Sequence, residues 1–250
     1  MKRLAGALAL VILFGGAGVA NADPRLDEKV YTPYIQNHVA ELEVMRGQQV
    51  GGADAGVATT VLEAEYGLND RVSLALIGSI ATTPGSGGTF NSIGLEGVVY
   101  LGQIPKTGID AGLYLEYKRG LNGGDDVAEG KLLLAKTAGR FQGLVNLIVE
   151  RPLGVPGEGF ATYGYAASAT WRTVGNLRLG VEAFGDLGED HRFLSGSLGA
   201  YVGPQLKWEG RPQGSPVEIG VDLGWLAPVG ASRAEARSQF RLGVELERRF

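Results

Sequence analysis

The 250-residue sequence contains no cysteine. Cys-ligated zinc, iron–sulfur clusters, a disulfide framework and a Cys nucleophile are therefore excluded, although a missing thiol names no compartment. Histidine is almost as scarce: His38 and His191 are the only two, and their separation argues against a metal site. Basic charge is also short, with Lys plus Arg at 23 against Asp plus Glu at 27, a formal net charge of −4 that rules out a basic nucleic-acid binder. Beyond residue 22 no apolar run approaches the ~18 to 20 residues that a membrane-spanning helix needs. No glycine-rich run precedes a helical pattern, so a phosphate cradle is not expected.

What is abundant is glycine, 41 residues, alongside a hydrophobic fraction of 44%. That combination fits neither a disordered chain nor collagen, which needs a strict three-residue period. Residues 1–22 have the layout of a secretory signal: Lys2 and Arg3, an apolar run from Leu4 to Phe14, then Ala20-Asn21-Ala22 as the cleavage site. An uncleaved anchor is the alternative, and the apolar run is short for it. Loss of Lys2 and Arg3 would take the net charge from −4 to −6. The remaining choice is between a secreted or periplasmic protein and an outer-membrane barrel.

From residue 37 to residue 250 the dominant period is two, in segments of about ten residues separated by Gly, Pro, Asn and Asp clusters, which is the pattern of a transmembrane barrel. In the segment 57–66, Ala58, Thr60, Leu62, Ala64 and Tyr66 share one face, and Thr59, Val61, Glu63 and Glu65 share the other. Twelve such segments are expected, the tenth being a long one over 193–208. The gaps 47–56, 82–91, 119–127, 151–160, 186–192 and 228–237 are long, whereas 67–70, 102–107, 138–140, 173–176 and 209–216 are mostly shorter. An even strand count with loop length sorted by parity fits an antiparallel up-and-down outer-membrane barrel better than a soluble sandwich or jelly roll. Outward aromatics support it: Tyr66, Phe141, Trp171, Trp208 and Phe250 fall at periplasmic ends, and Tyr117, Tyr163, Trp225 and Phe240 at external ends. Pro204 cannot donate to a ladder, so a bulge is expected at Gly203-Pro204.

The chain ends Gln239-Phe240-Arg241-Leu242-Gly243-Val244-Glu245-Leu246-Glu247-Arg248-Arg249-Phe250, which resembles the C-terminal assembly signal of Gram-negative outer-membrane proteins, with Phe250 as its terminal aromatic. Arg248 stands where that signal usually carries an apolar residue. Glu65-Tyr66-Gly67-Leu68-Asn69-Asp70-Arg71, the run 129–136, Tyr201-Val202-Gly203-Pro204 and Gly224-Trp225-Leu226 resemble a group of small proteobacterial outer-membrane barrels, largely uncharacterised and transporter-like or porin-like. The resemblance implies a monomeric barrel in the bacterial outer membrane. Its partners would be lipid, the barrel-assembly machinery and small solutes, with no cofactor.

The inward faces carry more acids than bases. The densest acidic patch combines Glu41, Glu43, Glu63, Glu65, Glu245 and Glu247 from strands twelve, one and two; Glu96, Asp110, Glu116, Glu129, Glu150, Glu182, Glu218 and Asp222 lie further round. The inward bases are Lys118, Lys131, Arg172, Arg178, Lys207, Arg241 and Arg249. Two readings stay open. The acids line a cation-preferring pore, or they pair across the lumen with Arg172, Arg178, Lys207 and Arg249 and stiffen a closed structural barrel. Residues 23–36 could enter the lumen; so short a segment reads rather as a periplasmic lead-in. A lipid hydrolase is the third and weakest alternative, since His191 and Ser195 share strand parity beside Glu189 and Asp190, but the spacing does not match the His-x-Ser pattern of outer-membrane lipases and a solvated loop accounts for His191 better.

Overall fold

Alternation along each segment places one set of side chains on each face of a sheet, and a sheet with a continuous apolar face must cover it or meet lipid. The computed structural model describes residues 26–154, 160–195 and 198–250; residues 1–22, read above as a signal, and 23–25 lie outside these. Twelve antiparallel strands form the fold: β1 (Val39–Val50), β2 (Ala58–Asn69), β3 (Val72–Thr83), β4 (Gly87–Ile104), β5 (Ile109–Gly120), β6 (Asp126–Ala138), β7 (Phe141–Leu153), β8 (Thr162–Arg172), β9 (Leu177–Glu189), β10 (Gly199–Gly210), β11 (Val217–Gly230) and β12 (Ser238–Arg249). Each pairs with the next, and β12 returns to β1, so the sheet closes into a barrel without edges. No helix among the described residues is long and apolar enough to cross a membrane; the strands do the crossing.

The outer face is a belt of exposed Leu and Val, among them Leu42, Leu62, Leu76, Leu95, Leu115, Leu147 and Val181. A belt this continuous is untenable in water and is the natural surface of a barrel in lipid. Tyr66, Phe141, Trp171, Trp208 and Phe250 are exposed toward one end of it, with Tyr117 and Trp225 toward the other. Trp225 stacks on Phe240 across β11 and β12, with ring centroids 6.0 Å apart. The inner face is polar, with buried Glu43, Glu63, Glu96, Glu129, Lys131, Glu182 and Arg241.

Three local expectations are corrected. The loop expected over 82–91 is mostly paired, since β3 and β4 run on to Thr83↔Gly87. Thr83-Pro84-Gly85-Ser86 closes that hairpin, with Ser86 N–H donating to Thr83 O at 3.1 Å and Gly85 at φ 83. Proline followed by a positive-φ glycine is what a type II turn requires. The tenth strand begins at Gly199 rather than 193, because Phe193 and Leu194 lie in a turn where Leu194 N–H reaches back to Leu187 O at 2.7 Å. No bulge forms at Gly203-Pro204. The β9 register runs unbroken through Gly203↔Glu182 and Pro204↔Val181, while β11 pairs at Val202 and again at Gln205 with the same offset. Pro204 thus leaves ladder positions open on one side and turns its ring outward, which costs a hydrogen bond but no extra residue. Register does shift elsewhere, at Gly67/Asn69, Ser79/Ile80, Tyr100/Gly102 and Tyr163/Gly164.

Candidate functional site

The described part of the segment read as a periplasmic lead-in lies inside the barrel. From Leu26 to Gln36 the chain passes down the lumen, then reverses at Asn37 and His38, the latter at φ 56, to enter β1 from the short-turn end. Its contacts reach every side. Lys29 pairs with Glu43 of β1 and Glu63 of β2, the latter at 2.8 Å. Tyr31 O–H donates to Glu96 of β4 at 3.3 Å, and its ring lies 4.6 Å from that of Tyr114 on β5. Val30 packs on a cluster from the opposite wall: Ile148, Ala166, Phe184, Tyr201 and Leu226 of β7 to β11. The physical reason for the correction is that the barrel's inner surface offers this segment both ion pairs and apolar burial, and a dangling lead-in would have neither.

The peptide of Tyr31 is held as a strand would hold it. Tyr31 N–H donates to Asn146 Oδ1 at 2.7 Å, and Asn146 Nδ2 donates back to Tyr31 O at 3.0 Å. One fully buried amide side chain on β7 therefore satisfies both polar groups of a buried peptide that has no ladder partner. Three glycines make room for the backbone, Gly67 among them, where a Cβ would collide with the Gln36 carbonyl. A Cβ at Gly112 would come within 2.8 Å of Pro33 Cβ, and one at Gly47 would collide with the Leu26 carbonyl.

The six acids of the patch are all present on β12, β1 and β2, and they stand in two cross-strand rows. Glu41 faces Glu247 on one side and Glu65 on the other; Glu43 likewise faces Glu245 and Glu63. Like charges directly opposite are destabilising, so the rows need a cation. Lys29 provides one.

The bases expected to pair with this patch are placed otherwise. Lys207 pairs with Asp222 at 2.8 Å. Arg178 donates to Arg140 O at 3.3 Å and stands opposite Arg172 in the β8–β9 register. Arg241 stacks over the Phe184 ring at 4.0 Å. Arg249 is exposed at the end of β12, opposite Val39. Further round, Lys131 bonds Glu28 at 2.5 Å and Glu129 at 2.8 Å, with its ammonium over the rings of Tyr31 and Tyr114. Lys118 meets Asp27 at 3.4 Å. The lumen is thus bridged by ion pairs, with Glu28, Lys29 and Asp27 of the N-terminal segment as partners.

Below the segment a cavity of 380 Å³ opens toward the short-turn end, bounded by Tyr34, Gln36, Glu41, Glu65, Glu218, Glu245 and Glu247. Gln36 donates to Glu247 at 2.7 Å at its margin. At the opposite mouth the β11–β12 connection folds inward through the short 3-10 turn Ala231–Ala234. Gln49 of β1 reaches Tyr201 of β10 there at 2.9 Å, and Tyr201 O–H reaches Glu235 at 3.2 Å.

Two residues of the hydrolase alternative, His191 and Asp190, have other contacts. His191 lies in the β9–β10 loop and makes an edge contact with Phe160, centroids 4.9 Å apart. Both oxygens of Asp190 are engaged, by Tyr163 O–H at 2.7 Å and Ala161 N–H at 3.1 Å, and these bonds hold its carboxyl below the usual range. Asp190 therefore ties two external loops together. Phe250 follows the last strand, its N–H donating to His38 O at 2.9 Å and its ring beneath the Arg248 guanidinium at 5.0 Å.

No protein-family model and no curated protein matches this sequence. Solved structures share its architecture. An outer membrane channel from Pseudomonas putida F1 superposes with a TM-score of 0.57 at 12% identity, covering 91% of this chain and 99% of that one. The KdgM porin in complex with disordered oligogalacturonate superposes at 0.52 with 13% identity, covering 84% and 99%. At such identities the likeness is one of fold, and the fold, with its lipid-facing belt, is that of a barrel of the bacterial outer membrane.

Proposed function

We propose that the protein is a porin-like channel for small solutes, with a preference for cations, and that Leu26–Gln36 narrows it at rest. The observation that carries this reading is the lumen itself. Its walls carry many buried charged side chains beside the apolar cluster of β7 to β11, and they open into a cavity bounded by more acids than bases, with Lys29 and Lys207 among its lining. A single unpaired segment crosses it, held by ion pairs and hydrogen bonds that water can replace. Twelve strands lie between the eight that side chains fill and the sixteen or more that leave a wide aqueous channel, so one such segment is enough to govern passage. The neighbours of like fold described as channel and porin support the same reading.

The test is conductance of the folded protein in planar bilayers, measured beside a Lys29→Ala, Asn146→Ala variant. We expect the variant to conduct more, and its reversal potential to show cation preference. That preference should fade as salt rises from 0.1 M to 1 M and the screening length shrinks from ~10 Å to ~3 Å. Absence of conductance from both proteins would overturn the channel reading. It would favour a closed structural barrel, for which the bridging pairs of Lys29 and Lys131 speak.

A further inference from the structure

On the inner face, Glu63 of β2 and Glu96 of β4 share an arrangement. Each has one carboxylate oxygen anchored by a protein donor and the other buried without a partner. Glu63 Oε2 takes the Lys29 ammonium at 2.8 Å, and Glu63 Oε1 has none. Glu96 Oε2 takes Tyr31 O–H at 3.3 Å and lies 2.9 Å from the Tyr114 hydroxyl, which it shares with Glu116 Oε2 at 2.6 Å, and Glu96 Oε1 has none. The two side chains are 5% and 3% exposed, so bulk water does not solvate the open oxygens. Elsewhere on the inner face Glu129 Oε1 has Lys131 at 2.8 Å and Glu116 Oε1 has Lys118 at 3.6 Å. Glu182 Oε1 is also buried without a partner while its Oε2 takes Gln205 at 3.0 Å, but among the described residues Glu182 belongs to no such group of acids. Glu65 completes the group: Glu63, Glu65 and Glu96 each bring one oxygen to within 4.8 Å of the others.

We propose that Glu63, Glu65 and Glu96 form a binding site for a hard divalent cation, best suited to Ca²⁺. An all-carboxylate donor set selects hard cations over those that want imidazole or thiolate. Ca²⁺ binds oxygens at ~2.3 to 2.6 Å in an adaptable shell, so oxygens spread over this span can all reach one ion. Mg²⁺ holds its ligands at ~2.0 to 2.1 Å in a strict octahedron and parts reluctantly with water, so it fits less well. The donors on the second oxygen of Glu63 and of Glu96 orient those carboxylates in the way that outer-shell partners orient metal ligands. Lys29 shares Glu63 with the site, and its ammonium opposes the incoming ion. Occupancy and a firmly seated Lys29 therefore compete. The inference concerns binding and does not depend on conduction.

The experiment is calorimetric titration of the whole folded barrel, stripped with chelator, in a nonionic detergent free of lipopolysaccharide. CaCl₂ and MgCl₂ are the probes. We expect one saturable Ca²⁺ per barrel with a dissociation constant of about 10⁻⁴ to 10⁻³ M, the range of modest all-oxygen sites, and weaker Mg²⁺ binding. Glu96→Gln should weaken Ca²⁺ at least tenfold. Asp125→Asn, which alters an exposed acid in the β5–β6 connection, should leave it unchanged. Lys29→Met should tighten it. Folding of each variant is checked by heat-modifiable migration. If Glu96→Gln does not fold, Glu65→Gln, which keeps both anchored carboxylates, takes its place. Wild-type protein without saturable Ca²⁺ binding, or a folded Glu96→Gln or Glu65→Gln protein with wild-type affinity, would overturn the proposal.

Discussion

The two walls of the lumen hold the N-terminal segment by opposite physics. On β12, β1 and β2, inward glutamates stand opposite one another and draw in Lys29. On β7 to β11, Ile148, Ala166, Phe184 and Leu226 form an apolar cluster against which Val30 packs. Adjacent residues of an extended chain point to opposite sides, so Lys29 and Val30 address the two walls at once. The acidic wall is specific and screened by salt; the apolar wall is indifferent to salt. A segment held by both is fixed in register by the first and in depth by the second.

The largest expected effect comes from reversing the charge on the acidic side. Lys29→Glu removes the cation between Glu43 and Glu63 and adds a third carboxylate. Breaking a buried pair costs roughly 3 to 5 kcal/mol where the remaining charge stays desolvated. The barrel ladder does not depend on Lys29, so we expect the segment to leave the lumen rather than the strands to unfold. Because the protein has no cysteine, a single Leu26→Cys reporter, buried in the native lumen, reads this directly. Its thiol-labelling rate should rise at least a hundredfold with Lys29→Glu. An unchanged rate would mean that the acidic wall contributes nothing to retention.

Between the walls stands Asn146. Truncation to Ala leaves the N–H and C=O of Tyr31 without partners, at about 1 to 3 kcal/mol for a buried unsatisfied group. The labelling rate should rise roughly tenfold, and it should respond little to salt, because no ion pair is lost. On the apolar side, Val30→Ala removes two half-buried methyls, worth about 1 kcal/mol, and should raise labelling severalfold. If Val30→Ala proved more damaging than Lys29→Glu, the ranking of the walls would be reversed.

The barrel was legible because alternation is enforced residue by residue: lipid on one side and the lumen on the other leave each position of a strand only one suitable chemistry. Strand ends were less so, since beyond the bilayer both faces meet water and the period fades. Pro84-Gly85 nevertheless carried a turn signal that could have shortened the expected loop to 84–86. The acids of the patch were found by parity alone. Lys29, Tyr31, Asn146 and Tyr114 were missed as partners, for two reasons. Residues 26–36 have no period to read, and the surface that receives them is assembled from strands far apart in the chain, so that Asn146 meets Tyr31 only after closure. One clue was available: a surplus of inward acids needs cations, and Lys29 lay just upstream of the first strand.

The smallest effect on stability should come from the end of the chain. Phe250 is 70% exposed, and beyond its stacking with Arg248 it contributes one backbone hydrogen bond, to His38 O. Losing it leaves every paired position of β12 with β1 intact, from Val39↔Arg249 to Val50↔Ser238. A net hydrogen bond is worth about 1 kcal/mol, so deletion of Phe250 should barely move the midpoint of unfolding in urea. The residue closes the stretch that resembles an outer-membrane assembly signal, however, and a signal acts before the barrel exists. We therefore expect the deletion to lower insertion into the outer membrane of living cells severalfold while the refolded protein stays nearly as stable as the parent. Equal insertion of both proteins would remove the assembly role from Phe250. A large loss of stability in urea would instead place Phe250 among the residues that hold β12 to β1, and the contrast between a replaceable end and an indispensable lumen would not stand.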